Sequence, residues 1–126
     1  MNLENQVCSL EYAKRLRELG VKQKSYFRWE ERDTGEIEIY HSKPVSIAHN
    51  YYSAFTVAEL GDILPDWCQT KTYIHPQLGR QYEIGTLTWI NKSEYEWDCI
   101  CGDDNEANAR AKILIFLLEN GIIKNE

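Results

Sequence analysis

The chain has 126 residues, a formal charge of −6, 43% hydrophobic and 27% charged residues. That length suits one domain spanning residues 1–126, large enough to bury about two thirds of its unfolded surface without metal or disulfide staples. The balance excludes disorder, collagen and coiled coil; aromatics, at 12%, are the unusual component.

Leu10, Ala13, Leu16 and Leu19 recur at helical spacing and predict a first helix, with Ser9 as its N-cap and Gly20 as its left-handed stop. Phe27 and Trp29 then alternate with Arg28 and Glu30. Asp33-Thr34-Gly35 supplies a turn, and Ile37 and Ile39 alternate with Glu36 and Glu38, which predicts a hairpin. His41 to Tyr52 is irregular, with Lys43-Pro44 favouring a loop or edge.

Thr56-Val57-Ala58-Glu59 is a capping box and opens a short helix to about Leu64, where Pro65 discourages continuation. Lys71 to Ile74 and Tyr82 to Ile90 read as strands around a turn at Pro76-Gln77-Leu78-Gly79, and Asn91-Lys92-Ser93 turns the chain again. In the next strand Tyr95, Trp97, Cys99 and Cys101 alternate with Glu94, Glu96, Asp98 and Ile100. The first set is expected on the core face, because a one-residue slip would bury three carboxylates. Asp103 or Asp104 is expected to cap a last helix running to Asn120, with Ala107, Ala111, Leu114 and Leu118 as its stripe. Its run Ile113 to Leu118 is apolar on every side, so this part is expected to be wrapped by the chain or buried in an oligomer. The predicted order is α-β-β-α-β-β-β-α. The predicted fold class is α+β: an antiparallel sheet of about five strands with helices packed on one face.

No run approaches the ~20 apolar residues of a membrane span, and Met1 to Gln6 lack the pattern of a secretory signal. The expected compartment is the cytoplasm, with Cys8, Cys68, Cys99 and Cys101 reduced. A lone C-x-C is poor zinc spacing, so Cys99 and Cys101 are expected in the core rather than on a metal. His41, His49 and His75 form no catalytic or metal motif, and the glycines are too scattered for a P-loop or dinucleotide loop. No cofactor and no catalytic residue is expected. The acidic run from Glu94 to Glu106 reads as a solvated face or a partner surface. The low pI of 5.1 disfavours nucleic acid. A basic cluster at Lys14, Arg15, Arg17, Lys22, Lys24 and Arg28 nevertheless keeps a DNA-binding regulator as one alternative.

Three segments carry a resemblance: Cys8 to Gln23, Phe55 to Pro65, and Glu106 to Gly121. Together they resemble small proteins of phage and prophage origin, many from gut Bacteroidetes and Firmicutes. The resemblance covers about a third of the chain. It implies a protein acting in the cytoplasm of an infected or lysogenic bacterium, and it brings no activity and no site residues with it.

The leading expectation is a non-enzymatic binding or interaction protein, with a protein partner or self-association. The aromatic segment would be one contact surface, and the apolar last helix, through Leu114, Phe116 and Leu117, a homodimer contact. The alternative is a small-ligand or nucleotide-like binder, or a small enzyme, with a pocket lined by Tyr51, Tyr52, Trp67 and Trp89.

Overall fold

A computed structural model describes residues 5–31, 37–41 and 50–124. Its elements run α1 (Leu10–Glu18), β1 (Phe27–Glu31), β2 (Ile37–His41), β3 (Asn50–Ser53), α2 (Val57–Ile63), β4 (Gln69–His75), β5 (Gly79–Trp89), β6 (Tyr95–Asp103) and α3 (Glu106–Glu119). The Asp33-Thr34-Gly35 turn, the Lys43-Pro44 loop and His49 lie outside the described residues.

The class is α+β, but the strands form two antiparallel sheets of three, β2-β1-β3 and β4-β5-β6, in place of one sheet of about five. The extra strand is β3, inside the segment expected to be irregular. It has only four residues, too few for a periodic signal. It forms by pairing with β1, Tyr52 opposite Trp29 and Tyr51 opposite Glu30. Because β1 is then occupied on both edges, α2 leads the chain to a separate three-strand meander.

The helices join the two sheets. α1 contacts β3, α3 contacts β5 and β6, and α3 also contacts α1 and α2. The core is centred on α3, whose Ala107, Ala109, Ala111, Ile113, Leu114 and Leu117 have no exposed surface. At 100° per residue these six fall into two groups. Ala107, Ala111 and Leu114 lie on one side, and Ala109, Ile113 and Leu117 on another. The expected single stripe was therefore half of the buried surface.

Helix ends follow local chemistry. Thr56 Oγ1 accepts from the Glu59 amide at 3.2 Å, and Glu59 Oε1 accepts from the Thr56 amide at 2.9 Å, which completes the expected capping box. The Glu59 carboxylate also accepts from Ser25 Oγ at 2.7 Å and from the Tyr26 amide at 3.1 Å. It thus ties the start of α2 to the entry of β1. At α1, Gly20 (φ 88°) sends its amide to the Arg17 carbonyl and lets the Val21 amide reach the Leu16 carbonyl. Gly121 (φ 67°) ends α3 in the same way.

Two cap assignments are corrected. Ser9 is the N-cap of α1 but makes no side-chain cap bond; its amide instead donates to Asn108 Oδ1 at 2.7 Å. The cap of α3 is Asn105, whose Oδ1 accepts from the Asn108 amide at 3.0 Å, and neither Asp103 nor Asp104. Asp103 is in β6, where its carboxylate holds Lys112 Nζ at 2.7 Å and accepts from the Asn105 amide at 2.9 Å. Partial burial pushes the Asp103 carboxyl up, but the Lys112 and Asn105 hydrogen bonds outweigh it and leave the group below the ordinary range.

The expected face of β6 is broken by a bulge. Ile84 is opposite Cys101, but its neighbour Gly85 is opposite Cys99, so Ile100 is an extra residue. Directly opposed residues share a face. Cys101 therefore shares the face of the buried Ile84, and its Sγ donates to the Ala109 carbonyl of α3 at 3.5 Å. Tyr95, Trp97 and Cys99 share the other face, with Trp89, Leu87 and Gly85. A side chain at Gly85 would run into the Asp98 carbonyl and the Cys99 backbone, which explains the glycine.

Gly85→Ala is expected to lower stability by about 2–3 kcal/mol in urea denaturation. An unchanged midpoint would mean that the bulge is not present in solution. Glu59→Ala, which removes the three hydrogen bonds of the carboxylate at the α2–β1 junction, is expected to cost about 1–3 kcal/mol by the same measurement. A loss under a few tenths would show that Glu59 is not a tie between the two elements.

Candidate functional site

Among the described residues no group of three or more His, Cys, Asp or Glu side chains comes together in a way that could hold a metal ion. No described helix is long and apolar enough to cross a membrane. The thiols have no activating neighbour. Burial pushes Cys8 up to about 12 and Cys101 up to about 11. Burial and the adjacent Glu83 raise Cys99, and burial raises Cys68.

The acidic run divides by environment. Glu94, Glu96 and Asp98 are exposed. Asp103 is paired with Lys112, and Glu106 with Arg110 at 2.9 Å. The Asp104 carboxyl is pushed above the ordinary range by its hydrogen bond to Asp103 and by that neighbour's charge.

Three of the six residues of the expected basic cluster are paired with carboxylates. Lys14 pairs with Glu31 at 3.0 Å, and Arg15 with Glu18 at 3.1 Å and Glu119 at 3.4 Å. Arg28 is buried and held by Glu30 at 2.7 Å. Arg17 donates to the Tyr51 carbonyl at 2.8 Å and lies over the Tyr51 and Tyr52 rings. No second helix follows α1 or α2 directly; β1 and β4 come next. Neither helix therefore has the recognition helix that a helix-turn-helix needs.

The four aromatic residues expected to line one pocket do not all come together. Tyr51 and Tyr52 are consecutive on β3, and both rings lie near the Arg17 guanidinium. Trp67 stands between α2 and β4, and Trp89 ends β5 in the second sheet. Both tryptophans are exposed, at 44% and 61%. None of the four lines the three largest described clefts. The expected homodimer contact is likewise split. Leu114 and Leu117 have no exposed surface because α1, α2 and the second sheet already cover α3; Phe116 alone is exposed.

A cleft of about 640 Å³ lies where α1 exits, beside α2 and the end of α3. Val21, Phe55, Leu114 and Ile123 form its apolar floor. Lys22, Lys24 and Lys124 on its rim face Glu59 and Asp62 on α2. The opposed charges, with two helix C-termini at its edge, leave the cleft close to neutral and select no ion.

The larger apolar surface is the face of β4-β5-β6 turned away from α3. The register brings Tyr73, Leu87, Trp89, Tyr95 and Trp97 onto it, with Lys71 directly opposite Glu83. Tyr73, Trp89 and Tyr95 are 38%, 61% and 52% exposed. Trp89 and Tyr95 meet edge to face at 5.4 Å, and Lys71 Nζ lies 5.9 Å from the Trp97 ring centre. The buried Trp97 Nε1 has no acceptor among the described residues. The period-2 alternation made Tyr95 and Trp97 legible as one row, expected on the core face with Cys99 and Cys101. The bulge instead turns Tyr95, Trp97 and Cys99 to the face away from α3, beside Trp89.

Alkylation at pH 8 tests this placement of the thiols. Mass spectrometry of the native protein is expected to find Cys99 modified first and Cys8 unmodified until denaturant is added. Equal rates at Cys8 and Cys99 would contradict it.

Comparison with protein-family models, with curated proteins and with solved structures finds no match.

Proposed function

We propose that this protein is a non-enzymatic interaction module that binds a protein partner through the open face of β4-β5-β6. The observation that carries this reading is the contiguous row of Tyr73, Leu87, Trp89, Tyr95 and Trp97 on the sheet face opposite the one that carries Ile84 and Cys101 against α3. Rows of exposed aromatic residues of this kind mark contact surfaces, because Tyr and Trp supply large contact area with few rotamers to freeze. The resemblance of three segments to phage and prophage proteins supports a place of action in the cytoplasm of an infected or lysogenic bacterium.

The test is retention of a partner from host-cell lysate by the wild-type chain and by Trp89→Ala/Tyr95→Ala. Both side chains are more than half exposed, so the variant is expected to keep its fold and its melting temperature. It is expected to lose at least about tenfold in affinity. A partner held equally by the variant would overturn the reading, as would a wild-type chain that holds neither a host protein nor a second copy of itself.

A further inference from the structure

We propose that the partner taken by the open face of β4-β5-β6 is a second copy of this chain, docked face to face about a twofold axis. This rests on the preceding reading that the face is a contact surface, and names its occupant.

Charge is the first argument. The chain carries −6, so two copies repel over most of their surfaces. This face is an exception. Its charged side chains by register are Lys71 and Glu83, directly opposite each other, which makes it neutral. The other members of the face on β4 and β5 are Gln69, Tyr73, His75, Gln81, Leu87 and Trp89. A partner chosen for opposite charge would meet a charged face. A neutral face bearing one cation and one anion is self-complementary, since a twofold axis can bring Lys71 of each copy to Glu83 of the other. The aromatic row would stack between the two sheets at the usual spacing of about 10 Å.

Area is the second argument, and it sets the strength. β5 has 11 residues, roughly 36 Å, and three strands span roughly 14 Å. The face therefore offers at most about 500 Å² per copy, below the roughly 800 Å² of a standard interface. The dimer is accordingly weak and reversible, with a Kd on the order of 10–100 µM.

Sedimentation equilibrium of the full chain from about 1 µM to 1 mM is the experiment. A monomer–dimer equilibrium in that range is expected. Trp89→Glu/Tyr95→Glu should remain monomeric throughout. Lys71→Glu alone should weaken the dimer at least about fivefold, and Lys71→Glu/Glu83→Lys should restore it. Melting temperatures measured at 1 µM separate any loss of monomer stability from loss of association. A wild-type chain that is monomeric at 1 mM overturns the proposal, as does a dimer that survives Trp89→Glu/Tyr95→Glu. So does a charge-swapped double variant as weak as Lys71→Glu. If the chain is monomeric while a host protein is still lost with Trp89→Ala/Tyr95→Ala, self-association fails and the contact surface stands. If no protein is held either, both fail.

Discussion

α3 is where the two halves of the structure are joined, and its burial on two sides is the constraint the rest depends on. Ala107, Ala111 and Leu114 form one buried group and Ala109, Ile113 and Leu117 another, while Asn108, Lys112 and Glu119 occupy the remaining arc. Each large side chain fully buried there is worth roughly 1.5–3 kcal/mol. Small residues in the first half let neighbouring backbones approach, and branched residues in the second half fill the space between them. A helix of this kind cannot be stable alone, and neither three-strand sheet has a core without it. The first sheet attaches less directly, through α1 and a set of polar ties: Lys14 to Glu31, Trp29 Nε1 to the Cys8 carbonyl at 3.0 Å, and the Glu59 network.

The open face of the second sheet follows from the same constraint. α3 packs against the side of the sheet that carries Ile84 and Cys101, and the opposite side carries Trp89 and Tyr95. The bulge decides which side chains share each side. Were Ile100 paired opposite Gly85 in a regular ladder, Cys99 would face α3 beside Cys101, and Trp97 and Tyr95 would follow it. Gly85 is what permits the close approach of β6 at that point, so one glycine governs where Tyr95 and Trp97 point.

Charge is distributed with similar economy. Five described cations, Lys14, Arg15, Arg28, Arg110 and Lys112, are held by carboxylates. They hold α1 to β1 and α3, and α3 to β6. Exposed pairs of this type contribute little stability each, and the Arg28–Glu30 pair is buried, where its cost of dehydration offsets much of its attraction. Lys14, Arg15 and Arg28 of the expected basic cluster are among them.

Local features were legible in the amino-acid sequence because their causes are local. The Thr56–Glu59 capping box, the Gly20 and Gly121 stops, the hairpin strands β1 and β2, and the last helix each need only residues within one or two turns. Trp89, Tyr95 and Trp97 were also legible as aromatic residues at strand spacing. Tertiary structure alone decided the rest. β3 exists only because β1 offers an edge, so no period announces it. The division into two sheets depends on β1 being filled on both sides. Leu114 and Leu117 were read as a possible surface because an apolar circumference does not say whether the same chain or another covers it. The side of the sheet on which Tyr95 and Trp97 lie was settled by a backbone approach at Gly85. That approach couples residues 85 and 98–101 across two strands, which a pattern read along one strand does not contain.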